Sequence, residues 1–130
     1  MLEETKVLVV DDDNISCNIA KLYLERTWVK SENIVIAHDW NTAVDLAKKQ
    51  LFDVILMDIR MPWKTWIDAT KEIRTHYNWD SPKIIAYTAD VFAANDIANK
   101  ELFDAFIVKP INKENFQKPI FEALTSDIVK

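Results

Sequence analysis

Five short apolar runs, each closed by a polar residue and followed by a helix-sized stretch, constrain this chain more than any other feature. Lys6 to Val10 runs into Asp11-Asp12-Asp13, Asn33 to Ala37 precedes His38, and Phe52 to Met57 ends at Asp58. Lys83 to Tyr87 ends at Thr88, and Ala105 to Val108 ends at Lys109-Pro110. Continuous apolar runs this short read as strands buried on both faces. Between them lie patterns of helical spacing. Ile15, Ile19 and Leu22 or Tyr23 mark a helix to about Arg26, and Asp39 caps one carrying Ala43, Val44 and Ala47. Ala69 and Ile73 mark a third helix after the Met61-Pro62 break, Phe92 to Lys100 a fourth, and Phe116, Ile120 and Leu124 a fifth. Strand and helix thus alternate five times. The expected fold is α/β: a doubly wound (βα)5 sandwich, its five-stranded parallel sheet covered by helices on both faces.

The 130 residues suit one domain spanning residues 1–130, with no linker or low-complexity tract. A net charge of -5 without a basic stripe argues against nucleic acid as a partner. Cys17 stands alone, which excludes an internal disulfide, and it reads as a packing residue. No membrane-length apolar run or signal segment occurs, so a cytoplasmic chain without membrane contact is expected. His38 and His76 lack metal-binding spacing and are expected at the surface.

In open α/β sheets, ligands bind at the carboxyl ends of the strands. Here those ends carry Asp11, Asp12, Asp58, Thr88 and Lys109. Crowded carboxylates resist joint ionisation unless a cation joins them, and an all-oxygen donor set favours Mg²⁺. A metal held by Asp12 and Asp58 leaves room for a phosphoryl oxygen, with Lys109 and Thr88 able to neutralise others. Asp58 is then the nucleophile, forming an acyl phosphate.

Four stretches resemble the signatures of receiver domains of two-component signalling: Val9-Val10-Asp11-Asp12-Asp13, Leu56 to Pro62, Ala86-Tyr87-Thr88-Ala89 and Phe106 to Pro110. The resemblance implies a flavodoxin-like fold and phosphoryl transfer to Asp58 from a histidine kinase or a histidine phosphotransfer protein. It implies Mg²⁺ ligation by Asp12, Asp58 and the Arg60 backbone carbonyl, with Asp11 acting through a water. Thr88 and Phe106 become the switch, remodelling the face of the fourth helix, fifth strand and fifth helix. The Lys109-Pro110 peptide is expected to be cis. Arg60 and Asp90 flank the route of the hydrolytic water and are expected to pair and set the lifetime of the phosphorylated state. The chain would be a monomer or a phosphorylation-dependent dimer, and its only catalysis would be its own phosphorylation and dephosphorylation. The wording Ile84 to Asp90 resembles receivers of hybrid histidine kinases.

The chain departs from that pattern in having no glycine, where average usage of ~7% would give roughly nine. Trp28, Trp40, Trp63, Trp66 and Leu102 occupy positions where receivers often carry glycine. A positive φ at Trp66 would cost about 1–2 kcal/mol or more. The deficit suggests an engineered, recoded variant, or else a natural relative with rebuilt loops. Pro119 falls inside the last helix, where it would remove one hydrogen bond and clash with the preceding turn at about 3 kcal/mol; it would be tolerated if the regular helix restarts near residue 118, with Pro119 in its first turn. Two other functions are open: a non-signalling receiver scaffold, and a haloacid-dehalogenase-like phosphatase with Asp11 as nucleophile and Asp13 as acid–base.

Overall fold

The computed structural model describes residues 4–27, 29–59, 65–77, 82–89 and 102–129. The expected helix near Phe92 to Lys100 lies outside them, as do Trp28, Arg60, the Met61-Pro62 break, Trp63 and Asp90. Strands β1 (Val7–Val10), β2 (Ile34–Ala37), β3 (Val54–Met57), β4 (Lys83–Thr88) and β5 (Ala105–Val108) form one parallel sheet in the order β2-β1-β3-β4-β5. Helices α1 (Asn14–Arg26), α2 (Trp40–Lys49), α3 (Thr65–His76) and α4 (Lys113–Val129), the last of the sequence pattern, cover both faces. No helix is long and apolar enough to cross a membrane among the described residues.

The period of two along each strand sorts the core into two layers. Leu8, Val10, Ile55, Met57, Ile84 and Ala86 pack beneath α2 and α3, with Ala43, Val44, Ala69 and Ile73. Val7, Val9, Val54, Leu56, Ile85, Tyr87 and Ile107 face α1 and α4, with Cys17, Ala20, Leu24, Phe116 and Ile120. A sheet buried on both faces explains why its strands read as unbroken apolar runs rather than alternating ones.

α1 ends at Arg26 as expected, but only part of the spacing that marked it faces the core: Ile15, Ile19 and Leu22 are 69%, 41% and 46% exposed, whereas Tyr23 packs against the core. The buried face is Cys17, Ala20 and Leu24, small residues that let the helix approach the sheet closely. Asp13 caps this helix by accepting from the Ile15 and Ser16 N–H groups, and Asp39 caps α2 by accepting from the Thr42 N–H at 2.7 Å.

The capping residues that close two helices lie outside left-handed backbone. Thr27 closes α1 at φ -95°, its hydroxyl donating to the Leu24 carbonyl at 2.7 Å, and Gln50 closes α2 in extended backbone at φ -144°. Trp66 is the second residue of α3, a helical position, so left-handed strain does not arise there. Its ring packs against Phe103, with centroids 6.0 Å apart. Trp40 opens α2 and is buried, but its indole N–H has no hydrogen-bond partner among the described residues, which costs about 1–3 kcal/mol.

Pro119 lies in the helix interior, and the restart that would have relieved it does not occur. Asn112 and Asn115 cap each other's N–H groups at 2.7 and 2.8 Å, which starts α4 at Lys113 and leaves Pro119 inside it, beyond the first turn. There it cannot donate to the Asn115 carbonyl and crowds that turn. Pro119→Ala is expected to raise stability by about 2 kcal/mol, the roughly 3 kcal/mol interior penalty less the entropy that proline removes from the unfolded chain. A urea midpoint unchanged or lowered in the variant would contradict this.

Candidate functional site

The carboxyl edge of the sheet gathers the residues that the strand ends singled out. Asp11 follows β1 and Asp58 follows β3, one step beyond the paired Val10, Met57 and Ala86. The sheet hydrogen bonding continues through them: the Asp11 N–H donates to the Ala37 carbonyl at 3.0 Å and the Asp58 N–H to the Val10 carbonyl at 2.9 Å. The backbone of both residues is thereby fixed at the sheet edge, and both residues are buried. The Lys109 N–H donates to the Thr88 carbonyl at 2.9 Å, and the cis Lys109-Pro110 peptide follows.

The Lys109 ammonium reaches back over this edge. It donates to Asp11 Oδ2 at 3.0 Å and to Asp58 Oδ2 at 3.3 Å, bridging the two acids. A third contact goes to Ser16 Oγ at 3.3 Å, and the Ser16 hydroxyl donates onward to Asp13 Oδ2 at 3.0 Å. That hydroxyl, helped by the Ile15 and Ser16 N–H groups, holds the Asp13 carboxyl below its ordinary range. Both Asp13 oxygens are thus occupied in capping α1, which leaves no support for Asp13 as the acid–base of a phosphatase.

Asp11, Asp12 and Asp58 each offer a carboxylate oxygen within 4.8 Å of the others, Asp12 being the exposed member. Together with Asp13, Ser16 and Lys109 they line a cleft of about 330 Å³. A larger depression of about 570 Å³ lies along the outer face of α4 but gathers no acid cluster, so size does not identify the site.

Thr88 is fully buried at the end of β4, and Phe106 is half-buried on β5 with its ring 5.8 Å from that of Phe103. Neither lines the acidic cleft among the described residues. His38 and His76 are exposed, as expected. His38 nevertheless places Nδ1 3.0 Å from the Asp11 carbonyl, which also accepts from the buried Cys17 thiol at 3.3 Å. Burial, then the negative charge of Asp11, pushes that thiol up to about 11, so it stays protonated and inert.

Sequence reasoning missed Ser16 and Tyr87. The Tyr87 hydroxyl donates to Asp11 Oδ2 at 2.6 Å, and its ring lies 4.4 Å beneath the Lys109 ammonium. Strand parity carried the signal: counting by two from Val7 and Val9 reaches Asp11, from Val54 and Leu56 reaches Asp58, and from Ile85 reaches Tyr87.

Known proteins are similar to this chain in sequence and in fold. The model of the response regulator receiver domain family matches residues 7–121. Transcriptional regulatory protein ZraR of Klebsiella oxytoca is 30% identical over 125 residues, covering 94% of this chain and 27% of that protein. Hybrid signal transduction histidine kinase H of Dictyostelium discoideum is 30% identical over 113 residues, covering 84% of this chain and 8% of that protein. The chain therefore spans well under half the length of these relatives. Among solved structures, the response regulator TrrA of Thermotoga maritima in complex with Mg²⁺-BeF superposes with a TM-score of 0.80 at 25% identity, over 92% of this chain and 99% of that one. With its flavodoxin-like sheet and acidic pocket, the chain belongs to the response regulator receiver domain family of two-component signalling.

Proposed function

We propose that Asp58 is the phosphoacceptor, taking a phosphoryl group from the phosphohistidine of a histidine kinase or a histidine phosphotransfer protein. The observation that carries this reading is the Lys109 ammonium bridging Asp11 and Asp58 beside a third carboxylate. The donor set fits Mg²⁺, since every group in the cluster is a hard carboxylate oxygen with no thiolate or imidazole among them. Asp12 and Asp58 would hold the ion, with Asp11 acting through a water and the Arg60 carbonyl adding a ligand. When bound, the ion supplies positive charge against the phosphoryl oxygens. The similarity to TrrA, solved with Mg²⁺-BeF, supports the same metal here.

The chain's own groups account for the rest. An Asp58 oxygen attacks phosphorus as the P–N bond of the donor breaks, the bonding pair returns to the imidazole, and an acyl phosphate forms. Lys109 stands where it can leave Asp11 for a phosphoryl oxygen, and Thr88 supplies a hydroxyl donor from the end of β4. Thr88 and Phe106 are the proposed route from the pocket to the β5 face. Cytoplasmic location, matching that of the donor kinases, belongs to the same reading.

Labelling with acetyl phosphate and mapping the acyl phosphate tests the proposal. Modification at Asp58 supports it, and modification at Asp11 favours the phosphatase-like alternative. No label, with no Mg²⁺-dependent change in tryptophan fluorescence, favours a scaffold.

The exposed stripe of α1 supports a helical protein as donor. Ile15 and Ile19 flank Ser16, which touches Lys109, so the stripe borders the acceptor cleft. Ile15→Lys with Ile19→Lys is expected to slow transfer from a phosphohistidine protein by about tenfold or more, as two buried apolar side chains are worth roughly 1.5–3 kcal/mol each when fully covered. Transfer from acetyl phosphate should be unchanged. Equal slowing of both reactions would remove α1 as the docking face.

A further inference from the structure

The geometry points to Tyr87 as a positioning residue of the acidic pocket, its hydroxyl fixing Asp11 and its ring seating the Lys109 ammonium. The inference rests on the reading of the pocket as a Mg²⁺-assisted phosphoacceptor. Tyr87 is fully buried in β4, and its side chain passes the Asp58 strand end to reach Asp11 on the strand beyond, since β3 lies between β1 and β4. Core packing would be met by an aliphatic residue here. A phenol placed to reach a buried carboxylate does more than fill space.

The hydroxyl shares Asp11 Oδ2 with Lys109, at 2.6 and 3.0 Å, while Oδ1 accepts the Asp13 N–H at 2.9 Å. Both oxygens of Asp11 are therefore engaged by groups of the chain. Because Tyr87 supplies part of that engagement, Asp11 holds Lys109 less tightly, and the ammonium remains shared with Asp58 at 3.3 Å. The ring face supports the same ammonium from below at 4.4 Å. Burial, and then the Asp11 charge, raises the phenol far above its ordinary range, so it is a permanent donor.

Removing the hydroxyl has two opposed consequences. Asp11 loses a neutral donor in the metal-free pocket, so a divalent ion gains more by entering. Lys109 is drawn toward Asp11 and away from Asp58, so the phosphoryl group meets a less available cation. Tyr87→Phe keeps the ring and most of the volume. Titrated by tryptophan fluorescence, it is expected to bind Mg²⁺ about 2- to 10-fold more tightly, the equivalent of one net hydrogen bond. At saturating Mg²⁺, its phosphorylation by acetyl phosphate is expected to be several-fold slower.

Opposite movement of affinity and rate is a signature that lost packing cannot produce. If both stay at wild-type values, or both fall together, Tyr87 is only a core residue. 3-Fluorotyrosine at position 87 reads the same contact without removing it, and serves if the phenylalanine variant does not fold. A more acidic, still protonated phenol donates more strongly, so Mg²⁺ should bind more weakly, and unchanged or tighter binding overturns the inference. Failure of the wild-type protein to bind Mg²⁺ would overturn the reading of the site itself, and this inference with it.

Discussion

Lys109→Met is expected to destabilise the protein by about 2–4 kcal/mol in the presence of a chelator, and to slow phosphorylation of Asp58 by about 100-fold or more. The stability loss follows from what the ammonium separates. Asp11 and Asp58 are 0% and 5% exposed, and Lys109 lies between them at 3.0 and 3.3 Å. Removing one partner of a buried ion pair costs about 3–5 kcal/mol, because the remaining charge stays buried without its counter-charge. The Lys109 side chain is 18% exposed, so water compensates some of that cost and the lower part of the range applies. Methionine retains much of the stem, so the loss reports charge more than packing. Mg²⁺ should narrow the deficit, since carboxylates that lack the ammonium bind the ion more tightly and the folded variant is then stabilised by more than the wild type. The rate loss has a separate origin, the removal of one fixed positive charge facing the transferred group. Urea melts of variant and wild type, each with chelator and with millimolar Mg²⁺, make the measurement. A deficit of equal size under both conditions would mean that Lys109 is not the electrostatic substitute for a cation.

Much of this arrangement was legible in the sequence because it depends on strand ends. Asp11, Asp58 and Lys109 each follow an apolar run, and a parallel sheet brings such positions to one edge whatever the helices do. Asp39 was legible as a cap because capping is a local interaction of a few residues. The errors arose where local pattern and tertiary context compete. On α1 the strongest apolar spacing belongs to the exposed stripe, while the sheet selects Cys17 and Ala20 for their small size. Pro119 was legible as a costly proline inside the last helix, and the reciprocal Asn112 and Asn115 cap rules out the later start that would have relieved it. Tyr87 escaped because an aromatic in a buried strand reads as core, and nothing local reveals the carboxylate that its hydroxyl meets. The strain expected at Trp66 does not arise, because that residue sits in a helix, while Trp28 and Trp63 lie outside the described residues.

Arg74 had no role in the sequence reading, yet Arg74→Ala is expected to cost about 3–5 kcal/mol, a large share of the ~5–15 kcal/mol that holds a typical domain. The guanidinium projects from α3 and is 3% exposed. Its Nε and Nη2 donate to the Leu102 carbonyl at 3.1 and 2.6 Å, and Nη2 also donates to Asp104 Oδ2 at 3.0 Å. The same Asp104 oxygen accepts the Ile84 N–H at 2.8 Å, so one cation ties α3 to the entries of β4 and β5 together. A planar fork reaches these acceptors at once, which a lysine ammonium cannot reproduce, so Arg74→Lys should recover only a minor part of the loss. The Asp104 side chain is 25% exposed and can regain some water, which places the alanine variant toward the lower end of the range. The damage should also be uneven. Among the described residues β5 pairs only with β4, whereas β1 and β3 each have strands on both sides. Hydrogen exchange at Ala105–Val108 should therefore accelerate more than at Val7–Val10 or Val54–Met57, because an edge strand opens locally once its entry is released. Lys109 follows that strand directly, so the same opening should also slow phosphorylation of Asp58 in a variant that remains folded. A loss below about 1 kcal/mol, or equal acceleration of exchange in all three strands, would show that Arg74 does not anchor β5.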